Sequence, residues 1–309
     1  MSENAKSDDM NKLKEAFIDS YDKGVSPTAL PRIFDVVRPL EEYYGKDCCN
    51  FTIEEIISAM MAFRSADVGT LRQKASLLRT YTNFCIASGF SIDGINHYVE
   101  LTSDILMRCI DKKKAAAMIL TPDDIEEILS ELDNSRDKFL ILAPYEGICG
   151  KEFCELTELT IDDLLGNNRV RLCDGRIISV SKRLYNIMIE ASETDTMTRS
   201  NGYVMELVPS KYILRAAKSK RGGEAPTRLT VKSRISKIAD ITSRPTLGVL
   251  MLRNSGFYWK FNQLFELSNR DYNSVFNSTE FAEIIYQYNV TPNENKIRSD
   301  HREMLSVLF

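Results

Sequence analysis

The chain has 309 residues, 27% of them charged and 43% hydrophobic, the balance of a folded globular protein long enough for two domains with separate cores. No run of about 18 apolar residues occurs, so no transmembrane helix is expected, and the polar start MSENAKSDDMNKLKEAF argues against a signal peptide. Seven cysteines and two histidines, His97 and His301, show no zinc-ligand spacing, so reduced cytoplasmic thiols with no metal and no cofactor are expected.

In chain order, the first third reads as helices. Thr52 and Glu55 form a capping-box pattern ahead of Ile56, Ile57, Ala59 and Met60. Val68 to Ser88 keeps apolar residues at helical spacing and stops at Gly89. Along it Arg72, Lys74 and Arg79 interleave with Leu71, Leu77, Leu78, Tyr81 and Phe84, a packed stripe with a basic flank. A further helix is predicted from His97 to Lys112, running into Lys112, Lys113 and Lys114 and three alanines. The domain boundary is placed there, giving residues 1–115 and 118–309.

The second domain opens with Thr121 as N-cap, Pro122 in the first turn, and Asp123 and Asp124 at the positive end of the helix dipole. A helix over Arg136–Glu146 follows. Val170–Cys173, Asp174-Gly175 and Arg176–Val180 then make a hairpin signature, two β runs around a two-residue Asp-Gly loop. Helices are predicted at Lys182–Ser192, Val231–Ile241, Leu247–Leu264 and Ser278–Tyr288, before a short tail to Phe309. The expected class is mainly α with a small antiparallel β-sheet.

The net charge of −4 argues weakly against nucleic acid, but the charge is unevenly spread. From Lys211 to Lys237 stand Lys211, Arg215, Lys218, Lys220, Arg221, Arg228, Lys232, Arg234 and Lys237 against Glu224 alone. A stripe of that kind attracts phosphate even on an acidic chain; a solvated surface is the bland alternative.

The order of a helical bundle, a Leu-Thr-Pro-Asp-Asp helix, a glycine turn, a hairpin and further helices resembles the tyrosine recombinase, or phage integrase, family from about Phe51 to Tyr288. The stretch YEGICGKEFCELTELTIDDL is similar to that family's Gly-x-Arg-x-x-Glu-x-x-x-Leu-x-x-x-Asp block, with Gly147, Glu152, Leu156 and Asp162 taken as the matches. LGVLMLRNSG is similar to its His-x-x-Arg block. The resemblance implies a two-domain fold, a core-binding helical domain plus an integrase-type domain, that grips DNA as a clamp. It also implies a tyrosine nucleophile, two phosphate-neutralising arginines, and a histidine and a lysine that move protons.

On this chain the first arginine falls on Cys149, the histidine on Leu250 and the second arginine on Arg253, which is retained. Arg176 lies near the expected lysine, Lys151 is two positions from Cys149, and Asn277 stands where relatives carry another histidine. Tyr286 takes the nucleophile's place, with Tyr288 as neighbour; packing on the stripe of Phe281 and Ile285 is the expected role of Tyr286, and a small buried residue that of Cys149, a low-pKa thiol being its minor alternative. The expected function is therefore sequence-specific binding of double-stranded DNA without catalysis, as in a phage or prophage repressor that maintains lysogeny in a bacterial cytoplasm. One jaw of the clamp is expected to present Arg72, Lys74, Arg79, Lys112, Lys113 and Lys114. The other is expected to present Lys151, Arg176, Lys182, Lys218, Lys220, Arg221, Lys232, Arg234, Arg244 and Arg253. Self-association on DNA stays open. Two alternatives stand beside this: a divergent active recombinase using Tyr286 with Lys151 and Arg176 as substitutes, and a protein-interaction module, which would have its Lys211–Lys237 stripe neutralised.

Overall fold

The computed structural model describes residues 3–21, 29–198, 203–218 and 223–308, with side chains for 11–21, 30–198, 203–218 and 223–308. The chain divides into two compact units, Met1–Ala116 and Ala117–Phe309. It is mainly helical, with two small antiparallel sheets. No described helix is long and apolar enough to cross a membrane.

The first unit holds α1 (Glu3–Ser20), α2 (Ala29–Tyr44), α3 (Ile53–Ala62), α4 (Val68–Ala87), α5 (Ser103–Arg108) and α6 (Lys112–Ala116). The capping box at α3 forms, with the Thr52 N–H donating to Glu55 Oε2 at 2.7 Å. Asp67 caps α4 by accepting from the Thr70 N–H at 2.7 Å, and Gly89 beyond its end takes φ +69°. The core joins Phe17, Phe34 and Tyr81, whose rings meet edge-on. Beneath them Lys14 bridges Glu41 and Asp47, and Tyr81 donates to Asp47 at 2.9 Å, so each charge taken out of water has a partner. The single helix expected over His97–Lys112 is broken instead into a 3₁₀ turn at His97–Glu100, α5 and α6. Thr102 caps α5 through the Ile105 N–H, and Asp111 caps α6 through the Lys114 N–H. Such short polar side chains compete with the helical backbone and favour new starts.

The second unit contains α7 (Pro122–Ser130), α8 (Ser135–Tyr145), the short α9 (Cys154–Thr157), β1 (Arg169–Arg171), β2 (Ile177–Ser179), α10 (Lys182–Glu193), β3 (Thr196–Thr198), β4 (Val204–Glu206), α11 (Arg228–Ile241), α12 (Val249–Leu267), α13 (Tyr272–Phe276), α14 (Thr279–Tyr288) and α15 (Glu294–Leu308). The Asp-Gly hairpin pairs β1 with β2, Val170 opposite Ile178, and both side chains are buried. A second hairpin, β3 with β4, was not expected; its strands are three residues long and too weakly apolar to signal themselves. The expected tail is a helix, because Ile297, His301 and Met304 recur on one face and are buried. Helix α8 is the hub, buried from Phe139 to Pro144 and packed on α10, α11 and α12. Its approach to α12 depends on Gly256, where a Cβ would lie 1.8 Å from the Tyr145 carbonyl oxygen.

Candidate nucleic-acid interface

Helix α8 ends in a turn at Gly147, φ +102°, and this turn passes so close to α14 that a Cβ there would meet the Gln287 carbonyl at 2.8 Å. The C-terminal end of α14, which carries Tyr286, is thereby set against the β1–β2 hairpin. Two arginines fasten it. Arg176 donates through Nη1 to the carbonyls of Tyr286 and Gln287 at 2.9 and 3.0 Å, through Nε to Asp174 at 2.6 Å, and through Nη2 to Glu155. Arg253, on α12, donates to the carbonyls of Tyr288 and Asn289. Cations belong at this end of a helix, where the last carbonyls lack intrahelical partners.

Tyr286 does not have the packing role expected for it. Its residue is 51% exposed, and its hydroxyl accepts the Ile177 N–H at 3.2 Å. Tyr288 is the buried one: its hydroxyl donates to the Tyr145 carbonyl at 2.6 Å, and burial pushes its pKa well up. Cys149 is buried and its thiol is pushed up to about 11 by burial, with Arg253 pulling the other way, so the low-pKa alternative fails. Leu250 is 59% exposed and offers no proton. Asn277 is exposed and bonds only its own turn, at the Asn273 carbonyl.

Glu155 and Lys260 are positions that sequence reading missed. Glu155 is 1% exposed; it accepts the Cys149 N–H at 2.8 Å and pairs with Arg176, while burial raises its pKa. Its neighbours Leu156 and Leu159 are both in the core. Glu152, by contrast, is exposed at φ +56° and pairs with Arg228 at 2.9 Å. The Glu-Leu-x-x-Leu spacing of Glu155, Leu156 and Leu159 was the available signal. Lys260 reaches Gln287 Oε1 at 2.8 Å and lies over the Tyr288 ring, its pKa lowered by burial; no motif marked it.

The other basic candidates fall into two groups. Arg234 grips the buried Asp137 with Nε and Nη2, and Arg244 joins Asp124 at 3.0 Å to Glu127 at 2.6 Å. Lys218 pairs with Glu206 at 2.9 Å. Lys220 and Arg221 lie outside the described residues. The stripe is therefore less open than its sequence: Lys211 meets Asp162, Arg215 meets Asp195, and Arg228 meets Glu152, all acids from elsewhere in the chain. Among the described residues, Arg72, Lys74, Arg79, Lys112, Lys113, Lys114, Lys151, Lys182 and Lys232 stand in no ion pair, although Lys74 feels the charge of Asp67. Arg72 donates to the Ser103 hydroxyl at 3.1 Å, and Lys74 sits 4.5 Å over the Phe63 ring. The Lys74 pKa is lowered by burial first and by the charge of Lys114 second, which places these two cations in one patch.

Two family models match the chain: "MrpR, C-terminal catalytic domain" over residues 119–307 and "MrpR, N-terminal core-binding domain" over residues 10–87. A relative, "SPbeta prophage-derived uncharacterized protein YopR" of Bacillus subtilis (strain 168), is 23% identical over 312 residues, covering 96% of this chain and 92% of that protein. Among solved structures, XerA recombinase aligns over 96% of this chain and 97% of its own, with TM-score 0.37 and 12% identity. An integrase from mycobacterium phage Brujita aligns over 98% and 93%, with TM-score 0.34 and 14% identity.

Proposed function

The chain belongs to the MrpR family, built from integrase-like core-binding and catalytic-type domains, and from that premise we propose that it is a sequence-specific double-stranded DNA-binding regulator that does not cut DNA. Its setting is that of a phage or prophage repressor on the nucleoid of a bacterial cytoplasm. The observation that carries this is the commitment of Arg176 and Arg253 to the carbonyls of residues 286–289. A tyrosine attacking a phosphodiester builds negative charge that guanidinium groups must receive, and these two are turned onto the backbone beside the tyrosine instead.

The remaining positions add to it. Reading the motif's Glu-Leu-x-x-Leu-x-x-x-Asp on Glu155, Leu156, Leu159 and Asp163 moves the first arginine's place from Cys149 to Glu152. In neither register is there a guanidinium, and a carboxylate would repel the phosphate. Removing one oxyanion donor typically costs about 10²–10³ in rate. Losing general acid–base help, as at Leu250, costs roughly another 10²–10⁴. Such losses need not multiply, because the groups act as a unit.

DNA contact is assigned chiefly to the cations outside ion pairs: Arg72, Lys74, Arg79, Lys112, Lys113 and Lys114 in the first unit, and Lys151, Lys182 and Lys232 in the second. Lys218, in an exposed pair that phosphate can displace, joins them; Lys220 and Arg221 remain in the set by charge alone. Most of these position the protein on phosphates, and base contacts give the sequence preference. A salt series on DNA fragments recovered by chromatin immunoprecipitation tests the reading. With six to ten phosphate contacts, affinity falls roughly 10³–10⁵-fold from 50 to 200 mM salt; a flat response removes DNA as the partner. The half-exposed Tyr286 beside Arg176 favours the alternative of a divergent recombinase, which covalent trapping on nicked DNA separates from this one.

A further inference from the structure

Two of the seven cysteines stand apart from the rest. Cys48, Cys49, Cys85, Cys109 and Cys149 are buried, whereas Cys154 is half-buried and Cys173 is exposed. Cys154 opens α9, and Cys173 begins the Cys173-Asp174-Gly175 turn of the β1–β2 hairpin. The fold brings their sulfurs to 3.0 Å. Cys154 is held in place from behind: Gly150 passes so close that a Cβ there would meet its sulfur at 2.5 Å. Cys173 sits on a tight, exposed turn whose Gly175 has φ +86°, so the outer partner is the one free to adjust. A disulfide needs sulfurs about 2.05 Å apart, an adjustment of about 1 Å from where the thiols rest.

We propose that Cys154 and Cys173 form a site of reversible oxidative modification, closing to a disulfide that ties the α9 segment to the β1–β2 turn. The oxidant class is a peroxide. The Cys173 thiolate attacks one peroxide oxygen, the O–O bond breaks, and the departing hydroxide takes a proton to become water. The sulfenic acid left on Cys173 is attacked by the Cys154 sulfur; the S–S bond forms, the S–O bond breaks, and the second oxygen leaves as water with the remaining thiol proton. Two thiols and one peroxide thus give one disulfide and two waters, the sulfurs losing the two electrons the peroxide gains.

The surroundings set the tempo. Burial of the sulfur, the hydrogen bond with Cys154, and the charges of Glu155 and Glu158 push the Cys173 thiol up to about 12. Little thiolate exists at neutral pH, so closure is slow and speeds up as pH rises; the site records sustained oxidation rather than a brief pulse. The bond would also join segments that already meet through Arg176, with Glu155 one residue from Cys154 and Asp174 one residue from Cys173. Those are the residues that hold Arg176 against the end of α14, so oxidation stiffens the clasp on Tyr286.

The test uses the full-length protein, with hydrogen peroxide as the probe and no DNA. After treatment, free thiols are alkylated and peptides are mapped by mass spectrometry without reduction. The expected result is a Cys154–Cys173 cross-linked peptide that dithiothreitol removes, formed faster at pH 9 than at pH 7. It is accompanied by a thermal midpoint raised by roughly 5–10 °C, as closing a loop of about 20 residues implies. Cys173→Ser, at an exposed position, and Cys154→Ser should each abolish the cross-link and the shift. Cys173 oxidised to sulfinic acid with no cross-link, both thiols left intact, or a cross-link confined to the buried cysteines would overturn the proposal.

Discussion

Two sets of basic residues, one in each unit, differ in circumstance. In the first, Arg72, Arg79, Lys112, Lys113 and Lys114 are exposed with no acidic partner among the described residues. In the second, Arg176, Arg215, Arg234 and Arg244 are half-buried and each is bonded to a carboxylate. The partners come from far along the chain; Arg234 and Asp137 are 97 residues apart. Bases counted along a sequence are therefore not all charge available to DNA. Arg176, Arg215, Arg234 and Arg244 serve internal ion pairs in the second unit, as Lys14, Lys46 and Arg64 do in the first, while Arg72, Arg79, Lys112, Lys113 and Lys114 stay outside them.

The sharpest way to break that contrast is to remove one member of each kind. Arg234→Ala takes the paired guanidinium from Asp137, which is 3% exposed and keeps, among the described residues, only the Asn134 side-chain amide as a hydrogen-bond donor to its carboxylate. Breaking a buried pair typically costs about 3–5 kcal/mol. Urea denaturation should show that loss, with DNA affinity of the folded fraction unchanged. A stable variant with weakened DNA binding would place Arg234 among the free cations instead. Next in size, reversing Lys112, Lys113 and Lys114 to glutamate should leave the urea midpoint nearly unmoved. It should weaken every DNA sequence alike, by roughly 10²–10³-fold, and lower the slope of log affinity against log salt by about three, one per lost phosphate contact. An unchanged slope would show that the first unit's free cations face away from DNA.

Two smaller effects sharpen the picture. Tyr286→Phe removes one hydrogen bond from the Ile177 N–H, worth about 1 kcal/mol in a denaturation curve, and should leave the proposed DNA binding intact. Lys218→Ala breaks a pair whose side chains are 68% and 71% exposed. No change in denaturation midpoint is expected from so solvated a pair, so a lost salt contact in the binding slope would be read cleanly as DNA.

Local signals were legible where a few neighbouring residues decide the outcome. The capping box at Thr52 and Glu55 and Pro122 after Thr121 form as the sequence indicates. The hairpin forms where expected, but its turn takes in Cys173 as well as Asp174 and Gly175, because Leu172 rather than Cys173 stands opposite Arg176. The second hairpin and α15 were hidden, the one by its brevity and the other because its apolar face is interrupted by His301. That histidine is buried by bonding to Tyr272 and Asn262 at 3.0 Å each. The site was half legible. Leu250 and Tyr286 are assigned by motif resemblance, whereas the contacts of Arg176 depend on carbonyls more than 100 residues away. Glu155 was overlooked because Glu152 supplied the same residue type three positions earlier; burial and the pairing with Arg176 set Glu155 apart, and the Glu-Leu-x-x-Leu spacing was the signal in the sequence.

The contrast between charge used for folding and charge left for DNA is tested most directly at Tyr286. A radiolabelled nicked duplex carrying the bound sequence, incubated with the wild-type protein and run on a denaturing gel, reports any covalent attachment. With Arg176 and Arg253 committed to the end of α14, binding in the native gel and no adduct in the denaturing gel is the expected result. An adduct that forms with the wild type and disappears in Tyr286→Phe would contradict it, and would show that the clasp opens to release both arginines for catalysis.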